Sequence, residues 1–166
     1  MKYVVGIDLG TTHATIARAP LAGDDVESEV VEVPQLVAAG AIESSALLPS
    51  FVYLPPEAEQ PQPLPWDAQR PFAVGTYARQ RAAEVPGRVI SSAKSWLCHP
   101  TVDRRSGLLP LGAPEDVEKI SPVEASWRIL EHLVEAYDQR FAAADGSLTE
   151  QRVVLTVPAS FDAAAR

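Results

Sequence analysis

GIDLGTTHATIA, residues 6–17, is the stretch from which the fold can be worked out. Residues 2–9 (KYVVGIDL) predict a buried strand, and residues 14–19 (ATIARA) predict a second. Only a short link separates them, so the two pair as a hairpin across a glycine-threonine turn. Asp8 is the anomaly. A core strand gains nothing from a carboxylate, which is costly to bury unless paired or hydrated. The acid therefore belongs at the strand end, where it can face a hydrated cation. Gly10 lets the backbone turn tightly and leaves room beside it for a ligand. Thr11, Thr12 and His13 then present backbone N–H groups, and the threonines add hydroxyls; such a nest favours an anion. Mg²⁺ keeps several waters and is often held through one or two carboxylates plus phosphates. Asp8 and the donor-rich turn make sense together as a site for a metal-phosphate. The glycine signatures GxxxxGK[ST] and GxGxxG are both missing, so this is a different phosphate device.

Outward from that turn, residues 27–37 contain a Val/Glu alternation that suits a half-buried third strand, with Pro34 at an edge or bulge. Prolines crowd residues 48–71, around a short strand SFVYL; the remainder reads as a surface loop, because each proline lacks a donor and fixes φ. Residues 74–86 and 89–97 predict two short helices or helical turns, and 101–119 is turn-rich. The clearest helix starts at Ser121, with Pro122 in the first turn and Glu124 as the capping-box acid. Val123, Trp127, Leu130, Val134, Tyr137 and Phe141 form one apolar stripe along it, expected to pack in the core. Asp145-Gly146 ends it. RVVLTVPASF, residues 152–161, predicts a buried strand, and Asp162 caps a further helix of a single turn. One uncapped turn is not a stable element, so the natural polypeptide is expected to continue beyond Arg166.

Charge and composition exclude several classes. Lys+Arg number 14 against 22 Asp+Glu, a net charge of -8, which argues against nucleic acid and against an anionic membrane surface. Cys98 is the single cysteine, so no intrachain disulfide and no cysteine cluster for zinc can form. The apolar run at residues 3–7 is too short for a signal peptide, and nowhere do 18 apolar residues occur in a row. The expectation is a soluble, cytoplasmic chain. Cys98-His99, Trp66 and Trp96 are expected to be packing residues, and Glu115, Asp116 and Glu118 a solvated acidic patch.

Three ordered motifs carry a resemblance. GIDLGTT resembles the first phosphate loop of the actin-like ATPase superfamily, most of all that of the seventy-kilodalton heat-shock chaperones (DnaK-like). Ser92-Ala93-Lys94 resembles the family's Ala-Lys segment with the catalytic lysine. The segment from Val157-Pro158 to Arg166 resembles the family's VPAYF-to-Arg segment, and Pro49-Ser50-Phe51-Val52 its Pro-Ser strand. The resemblance spans the whole chain but only the first half of the family's ATPase domain. Departures mark a divergent member: His13 stands where a small polar residue or Tyr is usual, Leu47-Leu48 where threonines are common, Ser95 where Arg is usual and Ser160 where an aromatic is usual.

The resemblance implies an α/β fold: the N-terminal lobe of an actin-like (ribonuclease-H-like) ATPase. Residues 1–39 and 119–166 would form its core subdomain, with one mixed sheet flanked by the 121–142 helix, and residues 40–118 a smaller inserted one. It implies ATP or ADP with Mg²⁺ as cofactor. Asp8 would hold Mg²⁺ through water, and Gly10, Thr11, Thr12 and His13 would cradle the phosphates. Lys94 would orient the attacking water, and Pro158 and Arg166 would relay nucleotide state to a peptide-binding domain. Partners would be the second lobe and peptide-binding domain of the same chain, unfolded peptides and co-chaperones. A small-molecule (sugar) kinase of the same superfamily and a non-hydrolysing nucleotide sensor or scaffold are the alternative expectations.

Overall fold

A computed structural model describes residues 1–23 and 26–157. Its centre is β1 (Tyr3–Leu9), which turns back into β2 (His13–Pro20) with Asp8 opposite Thr15 and Leu9 opposite Ala14, the expected hairpin. Val5, Ile7, Leu9, Ala14 and Ile16 alternate into the core, as a sheet buried on one face requires. Burying each of the larger side chains contributes about 1.5–3 kcal/mol.

The expected third strand divides. Its first part is β3 (Glu29–Val30), which pairs with β2. Its second part is β4 (Val33–Ala38), which leaves that sheet and makes a separate hairpin with β5 (Ala41–Ser45). Val31 and Val33 are both fully buried, and the Val31 N–H still donates to the Ile16 carbonyl of β2 at 2.9 Å before the chain enters the second hairpin. Next, β6 (Leu48–Pro49) returns to β2, opposite Ala14 and His13. A third sheet follows, β7 (Phe51–Tyr53) between β8 (Ala73–Val74) and β9 (Val89–Ser91), all antiparallel. Helix α1 (Thr76–Glu84) lies within the predicted stretch. Residues 89–97 are only half helical: Val89 and Ile90 are buried and pair with β7, so the helix α2 is Ala93–Leu97.

The proline-rich segment is less free than a surface loop. Leu64 and Arg70 are buried. Arg70 bonds Glu135 and Asp67, and the Trp66 indole N–H donates to Glu135 at 2.9 Å, tying the segment to the long helix. That helix, α3 (Pro122–Asp145), has the expected N-cap, the Ser121 hydroxyl accepting from the Glu124 N–H at 3.0 Å, but the Glu124 carboxylate, expected to close a capping box, pairs with Arg128 at 2.6 Å instead. Gly146, with φ of 89°, ends it. Its buried face is not the aromatic-rich stripe throughout. Ala125, Ile129, His132, Leu133, Ala136, Tyr137 and Phe141 are buried, whereas Val123 and Trp127 are exposed, and Leu130 and Val134 lie at the margin. Small residues let the helix approach the core closely, which turns the bulkier side chains of its first turns to the flank. Finally β10 (Arg152–Thr156) pairs parallel with β1. It is exposed along its whole length, not buried as expected, and among the described residues it pairs with no strand but β1. Residues 158–166, including the expected last helix, lie outside the described residues.

Two clusters of buried side chains organise these elements. The larger joins β1, β2, β6 and α3 through Val5, Ile16, Leu48 and Leu133; the smaller packs Leu36, Tyr53 and Leu64 against Ala78 of α1. No helix among the described residues is long and apolar enough to cross a membrane.

His132 is the polar exception inside the larger packing. Its Nε2 lies 2.8 Å from the Pro34 carbonyl oxygen, which calls for a proton on Nε2, and Nδ1 has no hydrogen-bond partner. The Trp66 ring stands edge-on to it at 5.4 Å. Burial pushes its pKa down to about 4, with the Arg70 charge acting in the same direction and the bond to Pro34 opposing it. The neutral form is therefore the folded form. The stability it protects is complete above about pH 6.5 and declines as pH falls towards about 4, by at most about 1.4 kcal/mol per pH unit. Urea midpoints at pH 7 and pH 5 should differ less for His132→Leu than for the parent protein; equal differences would contradict this.

Candidate functional site

The pairings of β1 place Asp8 at the carboxyl end of the strand, beside Thr156 of β10 and opposite Thr15 of β2. In open α/β sheets this edge is where ligands bind. The Asp8 side chain is exposed, as an unburied carboxylate should be. The Thr156 hydroxyl donates to its Oδ1 at 2.5 Å. That bond orients the carboxylate and leaves Oδ2 free to face solvent.

The turn that follows is built around Gly10. A Cβ there would overlap the carbonyl oxygen of His13, so the chain can reverse this tightly only without a side chain at that position. Thr11 and Thr12 are exposed, and the Thr12 hydroxyl lies 3.2 Å from Nδ1 of the half-buried His13 ring. Ser50 anchors the turn from outside: its hydroxyl donates to the Gly10 carbonyl at 2.8 Å and its N–H to the Thr12 carbonyl at 2.9 Å.

Lys94 arrives from a different direction. It is the second residue of α2, a helix that starts directly after Ser92, whose φ of 53° and ψ of 36° are left-handed. An open cleft of about 630 Å³ lies between α2, β1 and β10, lined by Asp8, Thr11, Lys94, Ser95, Cys98, Thr156 and Val157. The cleft brings together Asp8, Thr11 and Lys94 from the predicted set. Gly10, Thr12 and His13 belong to the adjoining turn but do not line the cleft. Pro158 and Arg166 lie outside the described residues. Thr156, Cys98 and Ser50 were not predicted as site residues. Thr156 was foreseeable only from the parallel register of two distant strands, and Ser50 only from the return of β6 to β2. His99, by contrast, stacks on Trp96 at 5.6 Å.

The donor set fits a hydrated divalent ion. A magnesium ion that retains most of its waters needs one or two carboxylates, and Asp8 offers one, open to solvent. Among the described residues no group of three or more His, Cys, Asp or Glu side chains could form a metal cage. A cation, Lys94, completes a cleft with one acid, hydroxyls and a backbone turn, which suits a phosphorylated ligand.

No family model matches the chain. Across 99% of its length it is similar to the chaperone protein HscA of Xenorhabdus nematophila, at 31% identity, and to that of an Enterobacter species, at 32%. It is likewise similar to the HscA homologue of Methylococcus capsulatus, at 33% identity. The chain spans about a quarter of the length of these curated relatives, 24% of each. It belongs, as a divergent member, to the seventy-kilodalton heat-shock chaperones.

Gly10→Ala should lower stability by about 1–3 kcal/mol in urea unfolding, because the backbone must shift to admit the methyl group. An unchanged midpoint would show that the turn has room to spare.

Proposed function

We propose that this cleft binds the phosphate end of a magnesium nucleotide, ATP or ADP, and that the chain is part of the first lobe of an actin-like ATPase domain in a heat-shock-type chaperone. The observation that carries the reading is the convergence of Asp8, Thr11 and Lys94 on one open cleft from separate parts of the sequence. Asp8 would hold Mg²⁺ through water, its orientation set by Thr156. Gly10, Thr11, Thr12 and His13 would offer backbone N–H groups and hydroxyls to the phosphates. Lys94 would orient the attacking water and offset charge developing on the transferred phosphoryl group. Bound Mg²⁺ would supply charge neutralisation at the phosphate oxygens.

The similarity to proteins named as the chaperone HscA supports the same reading. Unfolded peptides and co-chaperones would be partners of the whole protein. By the same resemblance, residues 1–39 and 119–166 would form a core subdomain and residues 40–118 a smaller inserted one, with the larger packing cluster running through both. Pro158 and Arg166 would relay nucleotide state to a peptide-binding domain. We place the protein in the cytoplasm.

In the intact chaperone, Lys94→Ala should cut ATP turnover on the order of a hundredfold or more while nucleotide still binds. Unchanged turnover would remove Lys94 from the chemistry. The 166-residue chain alone would supply one wall of a two-lobed cleft. Titration calorimetry should therefore find weak ATP binding to it, and tight binding would contradict the two-lobed reading.

A further inference from the structure

The phosphate turn and Lys94 lie more than 80 positions apart in the chain, and no bond between them is needed to explain how their spacing is held. A single residue connects the two supports. Ser50 bonds the turn twice, through its hydroxyl to Gly10 and its N–H to Thr12. It is 3% exposed, so water does not compete for either bond. On its amino side, Leu48 and Pro49 continue the grip by pairing with Ala14 and His13 at the start of β2. On its carboxyl side, Phe51 is already in β7, opposite Ser91 of β9. Ser91 is followed at once by the left-handed Ser92 and then by the helix that carries Lys94. The path from the turn to the lysine is thus a short run of backbone pairings, with the Ser50 hydroxyl tying it to the Gly10 carbonyl.

We propose that Ser50 is a positioning residue that fixes the distance between the phosphate turn and Lys94. The inference rests on the cleft being a nucleotide site. Its hydroxyl makes no contact with ligand; it acts by holding the turn against the strand whose neighbour leads into α2. Removing the hydroxyl leaves the Gly10 carbonyl without this donor and the turn held by backbone pairing alone.

The experiment uses the intact chaperone with Ser50→Ala, Ser50→Thr and Ser126→Ala. Ser126 is a similarly buried serine whose hydroxyl bonds the Pro122 carbonyl at 2.9 Å within α3 and which does not line the cleft, so its loss gauges the structural effect of removing a buried hydroxyl. Two measurements are made: MgADP affinity by calorimetry, and amide hydrogen exchange over residues 10–13 in the nucleotide-free protein. Ser50→Ala should weaken MgADP binding about three- to tenfold, the worth of one buried hydrogen bond, and speed exchange in the turn. Ser50→Thr, which keeps the donor, should restore both, and Ser126→Ala should alter neither. Unchanged affinity and exchange in Ser50→Ala, or equal loss in Ser126→Ala, would overturn the proposal. If the parent protein binds no MgADP, the nucleotide reading fails, and the exchange measurement alone then decides whether Ser50 holds the turn. Should Ser50→Ala fail to fold, Ser50→Cys, of similar size and weaker as a donor, takes its place in both measurements.

Discussion

Everything near the cleft depends on β1 being paired along both edges. One edge is antiparallel to β2 and sets the tight turn; the other is parallel to β10 and brings Thr156 alongside Asp8. Pairing on both sides leaves the strand no freedom to slip, since a one-residue shift would exchange the buried Val5, Ile7 and Leu9 for Gly6 and Asp8. The hydrophobic alternation of one strand thereby determines where an acid stands at the sheet's end. The chemistry of the site is a by-product of register.

Around that strand the chain uses polar side chains as fasteners. Arg18 on β2 pairs with Glu29 and with Asp145 at the end of α3, and lies over the rings of Phe141 and Tyr3. Gln35 takes the N–H and hydroxyl of Thr76 on its side-chain oxygen and gives its amide to the Leu47 carbonyl, so it caps α1 from a neighbouring sheet. Arg70 and Trp66 do the same for the proline-rich segment through Glu135. These groups are buried or half-buried and, Arg70 Nη1 excepted, partnered, so their hydrogen bonds offset part of the cost of taking them out of water. A pair exposed on both sides, such as Arg140 with Glu29, contributes little by comparison.

The parts legible in the sequence were those with a local physical signature. An acid inside an apolar run marked Asp8, a glycine between two strands marked the turn, and Ser121 with Glu124 marked the start of α3. What escaped was set by distant partners. The buried face of α3 runs through Ala125, His132 and Ala136, residues too small or too polar to stand out against Trp127 and Leu130. The division of residues 27–37 between two sheets lies in the separate partners of its two parts, β2 for the first and β5 for the second. Ser50 and Thr156 are ordinary residues until the strands carrying them are aligned with β1 and β2. Lys94 was reached through likeness to the heat-shock chaperones; nothing in its immediate neighbours distinguishes it from a surface lysine.

The left-handed backbone at Ser92 has an evolutionary corollary. Only glycine adopts that conformation freely, and asparagine or aspartate come nearest among the rest; other side chains incur roughly 1–2 kcal/mol. Valine or isoleucine at this position would push the following helix into a different path, whatever its own residues were. The set of amino acids that drift can admit immediately upstream of α2 is therefore narrow for reasons of dihedral geometry, quite apart from any demand made by a ligand.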